Sequence, residues 1–432
     1  MESGWLKKRG RFRKWKKHWF VLQDQTLYYY SKPGSKVRGH INLKNAEFIS
    51  RAPECHKQPA IKINIPCRKT FFLVASTQKE ADDWISSLED ARGTQENSTS
   101  AKPAMKDFHV ISPLGRSTYG KVYLVRNKHD HQLYAMKTMD KATLEEFDQV
   151  DQVLAERNVL LNINHPFLVK ARFTFQTDTK VSMVMDYVPG GELFKQLKEE
   201  GRFNESRARF YAAEIALGIG HLHSIGVIYR NLMSSNILVD KDGHIKITAM
   251  SLVKPKTDLE TTTTFCGTPE YIPPEMLQNV PYTKNVDWWS FGILLFEMLT
   301  GNTPFQNENI QKTYQAIVHN NPTFPDYLST EAMCLITKLL EKNPSERCGA
   351  KDDFKEVLSD PFFAGINQDD LLNKRIQPEW IPEIKEETDT SHFDSDLSDD
   401  EILSINSENT SVKEETQSAF QNFTCTTENS VF

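Results

Sequence analysis

Between residues 108 and 363 the hydrophobic period changes once, and that change constrains the architecture more than any other feature. Apolar runs at 120–125 and 133–136 read as strands, and a helical pattern follows through Glu156. Beyond Asp186-Tyr187-Val188 the spacing is mostly helical, as at 206–222 and 286–299. Strands and helices segregated along a chain pack as separate layers. The segment is therefore expected to fold as two lobes joined at 186–188. The apolar run 288–299, bounded by Asp287 and Gly301, is too short to cross a bilayer and reads as a buried core helix.

With 432 residues the chain is too long for one core. Residues 2–92 alternate apolar runs with turn-rich segments, then place Ala81, Trp84, Ile85 and Leu88 on one helical face. The expected fold class is α+β and multidomain. A small antiparallel β-barrel capped by a helix occupies 2–92, a polar linker 93–107, the two-lobed unit 108–363, and an extended, largely disordered tail 364–432. The net charge of -6 conceals a basic N-terminus and an acidic C-terminus. Six scattered cysteines form no CxxC pair, which argues against a zinc site or a disulfide framework and makes a reducing cytoplasm the simplest setting. No apolar secretory segment opens the sequence.

From 7 to 17, Lys7, Lys8, Arg9, Arg11, Arg13, Lys14, Lys16 and Lys17 interleave with Phe12 and Trp15, uninterrupted by any acid. On paired strands, alternation projects several of these cations from one end of the barrel, where phosphates accept charge-assisted hydrogen bonds. Charge alone also fits a solvated strand face or a nucleic-acid patch. The segments Gly4-Trp5-Leu6-Lys7-Lys8, Trp15-Lys16-Lys17-His18-Trp19-Phe20-Val21-Leu22, Leu27-Tyr28-Tyr29-Tyr30 and the closing Trp84 resemble pleckstrin-homology domains. The resemblance implies that Lys8, Lys16 and Arg38 contact inositol phosphates. It also exposes a departure, because the family's arginine before the aromatic pair is His18, and a neutral imidazole does not replace a guanidinium fork.

In the second unit, Gly115-Arg116-Ser117-Thr118-Tyr119-Gly120-Lys121-Val122 resembles the glycine-rich loop of protein kinases, with Ser117 at the middle glycine. Tyr134-Ala135-Met136-Lys137 and the later Glu156 resemble the phosphate-binding lysine and its helix glutamate, and Met185 to Val188 the hinge. A purely structural Lys137–Glu156 salt bridge remains the simpler alternative. The resemblance implies a nucleotide contact set of Leu114, Gly115, Gly120, Val122, Ala135, Lys137, Glu156, Asp186, Val188, Glu192 and Asn236.

The catalytic loop reads Tyr229-Arg230-Asn231-Leu232-Met233-Ser234-Ser235-Asn236, so the family's catalytic aspartate is Asn231 and its phosphate-contacting lysine is Met233. Ala249-Met250-Ser251 stands where the family has Asp-Phe-Gly. An amide accepts no proton from a substrate hydroxyl, and losing a general base costs about 10²–10⁴ in rate. Asn236, the residual second metal position, is a poor magnesium anchor without a carboxylate. Structural positions survive: Asp287, a spine formed by Tyr229 and Met250, and a Glu275–Arg347 pair.

Thr264-Phe265-Cys266-Gly267-Thr268-Pro269-Glu270-Tyr271 resembles the AGC-kinase activation segment, with Thr264 at the phosphorylated position and Arg230 as its partner. Pro378-Glu379-Trp380-Ile381-Pro382 with Phe393, and Phe420-Gln421-Asn422-Phe423-Thr424, resemble the AGC tail and its hydrophobic motif, which makes Thr424 a second phosphorylation candidate. The order of parts resembles the protein kinase B (Akt) family. That resemblance implies a cytoplasmic protein reversibly recruited to the inner face of the plasma membrane. Its expected function is that of a pseudokinase, a binding or regulatory protein in phosphoinositide-type signalling. The implied partners are an anionic phospholipid or phosphoinositide, an upstream kinase, and active relatives or their protein substrates, with no nucleic acid. ATP would bind weakly and independently of magnesium, and no structural metal is expected. The competing expectation is a weakly active ATP-dependent serine/threonine kinase of the Akt type.

Overall fold

The computed structural model describes residues 3–9, 15–43, 46, 48–52, 55–65, 69–92, 102–255, 262–393 and 412–427. They divide into two compact units, Met1–Lys102 and Pro103–Phe432.

In the first unit, β1 (Ser3–Arg9), β2 (Trp15–Gln23), β3 (Thr26–Tyr30), β4 (Val37–Asn42), β5 (Phe48–Arg51), β6 (Ala60–Ile65) and β7 (Lys69–Val74) precede helix α1 (Gln78–Arg92). They form one antiparallel sheet in the order β4-β3-β2-β1-β7-β6-β5. Leu6, Phe20, Leu27, Ile41, Ile49, Ile61 and Leu73, one from each strand, meet in a single core with Ala81, Trp84 and Leu88 of α1. Side chains from both ends of the sheet meet there only because it curls, as native strand twist favours. The expected apolar face of α1 is the face that plugs it.

The second unit begins with β8 (Phe108–Ser117), β9 (Gly120–Asn127), β10 (Leu133–Asp140), α2 (Lys141–Glu146), α3 (Val150–Asn162), β11 (Ala171–Gln176) and β12 (Lys180–Asp186). Its helical lobe contains α4 (Leu193–Glu200), α5 (Glu205–Ser224), the short strands β13 (Val227–Ile228), β14 (Ile237–Val239), β15 (Ile245–Ile247) and β16 (Lys254–Pro255), then α6 (Pro274–Leu277), α7 (Asn285–Thr300), α8 (Ile310–His319), α9 (Thr330–Leu339), α10 (Asp353–Leu358) and α11 (Gln368–Leu372). Helix α12 (Glu414–Ala419) and β17 (Cys425–Thr426) follow, and β17 pairs with β11 to complete a six-stranded sheet, β17-β11-β12-β10-β9-β8. Helix α7 is buried from Val286 to Leu299 on every face, which explains a run apolar all round yet too short for a membrane. Among the described residues no helix is long and apolar enough to cross one.

Within the linker 93–107, Met105–Asp107 form a 3-10 turn in which Asp107 is buried, and Met105 packs on the sheet core. Residues 93–101 lie outside the described set. The tail was expected to be largely disordered, yet its described parts, 364–393 and 412–427, pack on the unit. Arg207 lies 4.7 Å from the Trp380 ring centroid, and Phe420 and Phe423 are fully buried. An acidic composition hid a few aromatic anchors, each worth a core residue once it finds a groove. Residues 394–411 and 428–432 are outside the described set.

Candidate functional site

Between the lobes of the second unit lies a cleft of about 370 Å³. Leu114 and Gly115 of β8, Val122 of β9 and Ala135 of β10 form its roof, and Asp186 and Val188 line the hinge. Glu192, Asn236 and Leu238 line it from the helical lobe, and Phe393 enters from the tail. Phe393 stacks on Tyr187 at 6.1 Å, and the Tyr187 hydroxyl donates to the Asp389 carbonyl at 2.8 Å. All the expected nucleotide contacts line the cleft except Gly120. A Cβ at Gly120 would lie 2.3 Å from the Thr138 carbonyl oxygen, so this glycine permits the close approach of β9 to β10.

Lys137 stands on β10 opposite Val122 of β9 and Met183 of β12. Its ammonium donates to both carboxylate oxygens of Glu156 on α3, at 2.8 and 2.9 Å, and both side chains are buried. A carboxylate at Asp186 is engaged as well, accepting from Arg172 at 2.6 and 3.2 Å.

The opposite end of the cleft is electrically quiet. The Asn231 amide donates to the Ala249 carbonyl at 3.1 Å, and the Asn236 amide donates to the Asn231 carbonyl at 2.7 Å. Thr268 donates to the Met233 thioether at 3.1 Å. Ala249 sits at φ 51° and ψ 56°, a left-handed conformation that aspartate tolerates better than alanine. Among the described residues no group of three or more His, Cys, Asp or Glu is placed to hold a metal ion. The catalytic loop nevertheless keeps its support. Fully buried Asp287 accepts from the backbone N–H of Tyr229 at 2.9 Å and of Arg230 at 2.7 Å, and contacts His223 at 2.8 Å. Tyr229 and Met250 are fully buried, and Arg347 holds Glu275 at 2.7 and 2.9 Å.

Thr264 is exposed, with Lys254 Nζ at 3.4 Å from its hydroxyl. Arg230 donates to the Tyr282 hydroxyl at 3.0 Å, and that hydroxyl donates to the Thr264 carbonyl at 2.6 Å. The expected arginine is therefore one side chain removed from Thr264, and Lys254, which the sequence reading missed, is the nearer cation.

The hydrophobic motif is seated. Phe420 and Phe423 pack edge to face at 5.5 Å, and Arg157 donates to the carbonyls of Phe423 and Asn422 at 2.8 and 2.7 Å. Lys141 Nζ, 5.7 Å from the Phe420 ring centroid, donates to Gln417 at 2.7 Å, and Thr424 is half-exposed beside them. Arg157 and Lys141 escaped the sequence reading. The one available signal was that both are cations at positions adjoining an apolar helical stripe.

In the first unit, the strand register places Lys8 opposite Lys16, on the face that also carries Phe20 and Tyr29. Lys8 Nζ lies 4.8 Å from the Tyr29 ring centroid, and the His18 ring lies 5.3 Å from Tyr29. Burial, together with Lys8, Arg38 and Lys16, holds the His18 imidazole below its ordinary pKa. Lys8 and Lys16 thus stand on the face that carries His18, and the charge of Arg38 reaches the same ring. Residues 10–14, including Arg11, Arg13 and Lys14 of the basic run, are outside the described set.

A strand lobe hinged to a helical lobe, with a sheet lysine paired to a helix glutamate over the intervening cleft, defines the protein kinase fold. Residues 108–363 match the protein kinase domain and residues 1–92 the PH domain. The chain belongs to the protein kinase family, in its AGC branch, and carries a PH domain. It is 40% identical over 407 residues to the RAC family serine/threonine-protein kinase homolog of Dictyostelium discoideum, covering 92% of this chain and 91% of that protein. It is 42% identical over 340 residues to the RAC serine/threonine-protein kinase of Drosophila melanogaster, covering 78% of this chain and 56% of the relative. Serine/threonine-protein kinase Sgk1 of Gallus gallus is 44% identical over 304 residues, 70% of each chain.

Proposed function

We propose that this chain is a membrane-recruited AGC pseudokinase that acts by binding, with little or no phosphoryl transfer. One observation carries the reading. Where transfer needs a base and a metal-binding carboxylate, Asn231 offers an amide bonded to the Ala249 carbonyl, and Ala249 and Met233 offer no charge. The carboxylates that do line the cleft include Glu156 and Asp186, which are engaged by Lys137 and Arg172. Magnesium prefers carboxylates plus substrate phosphates, so these residues do not fit it. The retained Lys137–Glu156 pair and the seated tail support a folded, partner-ready state, and the Lys8, Lys16 and Arg38 cluster supports recruitment to anionic phospholipid or phosphoinositide. Thr264 and Thr424 are proposed as targets of upstream kinases. The proposed location is the cytoplasm, with reversible binding at the inner face of the plasma membrane. The partners proposed are active relatives or their substrates.

Incubation with radiolabelled ATP, magnesium and a basic protein substrate tests the reading. No transfer above that of Lys137→Ala is expected. Transfer abolished by Lys137→Ala would establish a weakly active serine/threonine kinase instead.

A further inference from the structure

We propose that the solvent face of the first unit's sheet, opposite the face that carries Lys8 and Lys16, docks an acidic amphipathic helix of a partner protein. The inference is independent of the state of the kinase cleft. Strand alternation sends Leu6, Phe20, Leu27 and Ile41 into the core and the residues between them outward. A sheet with one solvated face normally carries polar side chains there. Here the register sets Trp5 of β1 opposite Trp19 of β2, Trp19 opposite Tyr30 of β3, and Tyr30 opposite Val37 of β4. Directly opposed residues share a face, so these aromatics and the valine form one row across the strands. The rings are half-exposed, and Val37 is 52% exposed. Lys7 and Lys17, one outward position further along, oppose each other in the same way and are exposed.

Charge and shape choose the partner. Strands β1 to β4 contain no aspartate or glutamate, so the row has a cationic flank and no acidic one, which complements a segment rich in carboxylates. Tryptophan and tyrosine anchor protein interfaces, and an apolar row rimmed by charge marks a protein-binding patch rather than a purely ionic one. With strands about 4.8 Å apart the row is about 14 Å long. That is between two and three helical turns of about 5.4 Å, so apolar side chains at i, i+4 and i+7 meet it in step. A nucleic-acid base fits less well. Trp5 and Trp19 meet edge to face at 74°, and the Lys17 ammonium lies 5.1 Å from the Trp5 ring centroid, so the pair is not a flat stacking platform.

Fluorescence anisotropy reads the interaction when the full chain is titrated into a labelled peptide of about fifteen residues, with leucines at i, i+3, i+4 and i+7 and glutamates elsewhere. A Kd at or below about 100 μM is expected, and no binding up to about 1 mM overturns the proposal. Val37→Glu, at its exposed edge position, should weaken binding by about tenfold and Trp19→Ala by about thirtyfold. Unchanged binding in either folded variant overturns the proposal, and if Trp19→Ala does not fold, Val37→Glu carries the test. Lys7→Glu with Lys17→Glu should weaken binding by about tenfold at low salt and by less at high salt. A peptide with lysine in place of glutamate should not bind, and equal binding refutes the charge argument. Lys8→Ala with Lys16→Ala should leave the affinity unchanged; its loss would put the peptide on the other face and overturn the proposal. Tighter, Trp19-dependent binding of oligothymidylate or of phosphatidylserine vesicles would assign the face to nucleic acid or to membrane instead.

Discussion

Phe423→Ala tests whether the tail is a docked ligand of its own small lobe or a fixed part of the fold. The Phe423 ring is fully buried, edge to face with Phe420, and the Arg157 guanidinium lies 5.3 Å from its centroid. Truncating a buried phenylalanine costs about 3–5 kcal/mol. If that loss falls on docking, the equilibrium shifts toward release by about two to three and a half powers of ten. The reporter is amide exchange in the full-length chain. The N–H of Thr427, which donates to the Arg172 carbonyl at 2.9 Å, opens when the segment leaves β11. Its exchange should accelerate by about a hundredfold or more while amides of β10 and β12 are unchanged. Arg157→Ala should do the same through the lost bonds to the Asn422 and Phe423 carbonyls. The double variant should exchange more slowly than the product of the two single effects, because Arg157 and Phe423 are in contact and each loss includes the other's partner. Unchanged protection would refute the docking argument, and a uniform loss across the unit would make the tail integral to the fold.

Glu275→Gln leaves the fully buried Arg347 without its counter-charge, an expected loss of about 3–5 kcal/mol in urea denaturation; a change under about 1 kcal/mol would show that the Asn285 and Glu341 carbonyls suffice alone. His18→Arg adds a fixed charge beside Lys8, Lys16 and Arg38, so cosedimentation with phosphoinositide vesicles should strengthen by about fivefold, from about 1 kcal/mol per cation near an anionic surface. No change would mean that the three cations do not face one headgroup. His165 is pushed down to about 3, first by burial and then by His221 and Lys246, so it stays neutral when folded but protonates when unfolded below its ordinary value of 6.5. Its contribution is present above that value and is lost as pH falls toward 3, about 1–2 kcal/mol by pH 5 with partial exposure allowed for. His165→Asn, which keeps an acceptor for the Phe167 N–H, should flatten the acid limb of the stability curve, and an unchanged limb counts against the assignment.

The lobes and the curled sheet were legible in the chain, because each is carried by local spacing. Trp84 and Leu88 share a helical face, and Ala249 follows the short strand Ile245–Ile247 by a fixed offset. The tail was misjudged for a related reason. Composition averages over a segment, whereas two phenylalanines in a groove outweigh many solvated acids. Gly120, too, was read as a ligand contact when its neighbour is the Thr138 carbonyl, a distinction that depends on strand packing.

The sequence by itself determined which side chains stand in the loop, Asn231, Met233 and Ala249, none of which carries a carboxylate or an ammonium. Only the tertiary structure decided what the remaining charges do. Charges interact by distance and burial, which are invisible along the chain. Lys137 pairs with Glu156 and Asp186 with Arg172, Lys254 lies 3.4 Å from the Thr264 hydroxyl while the expected arginine bonds the Tyr282 hydroxyl, and the charges of Lys8, Lys16 and Arg38 reach one histidine.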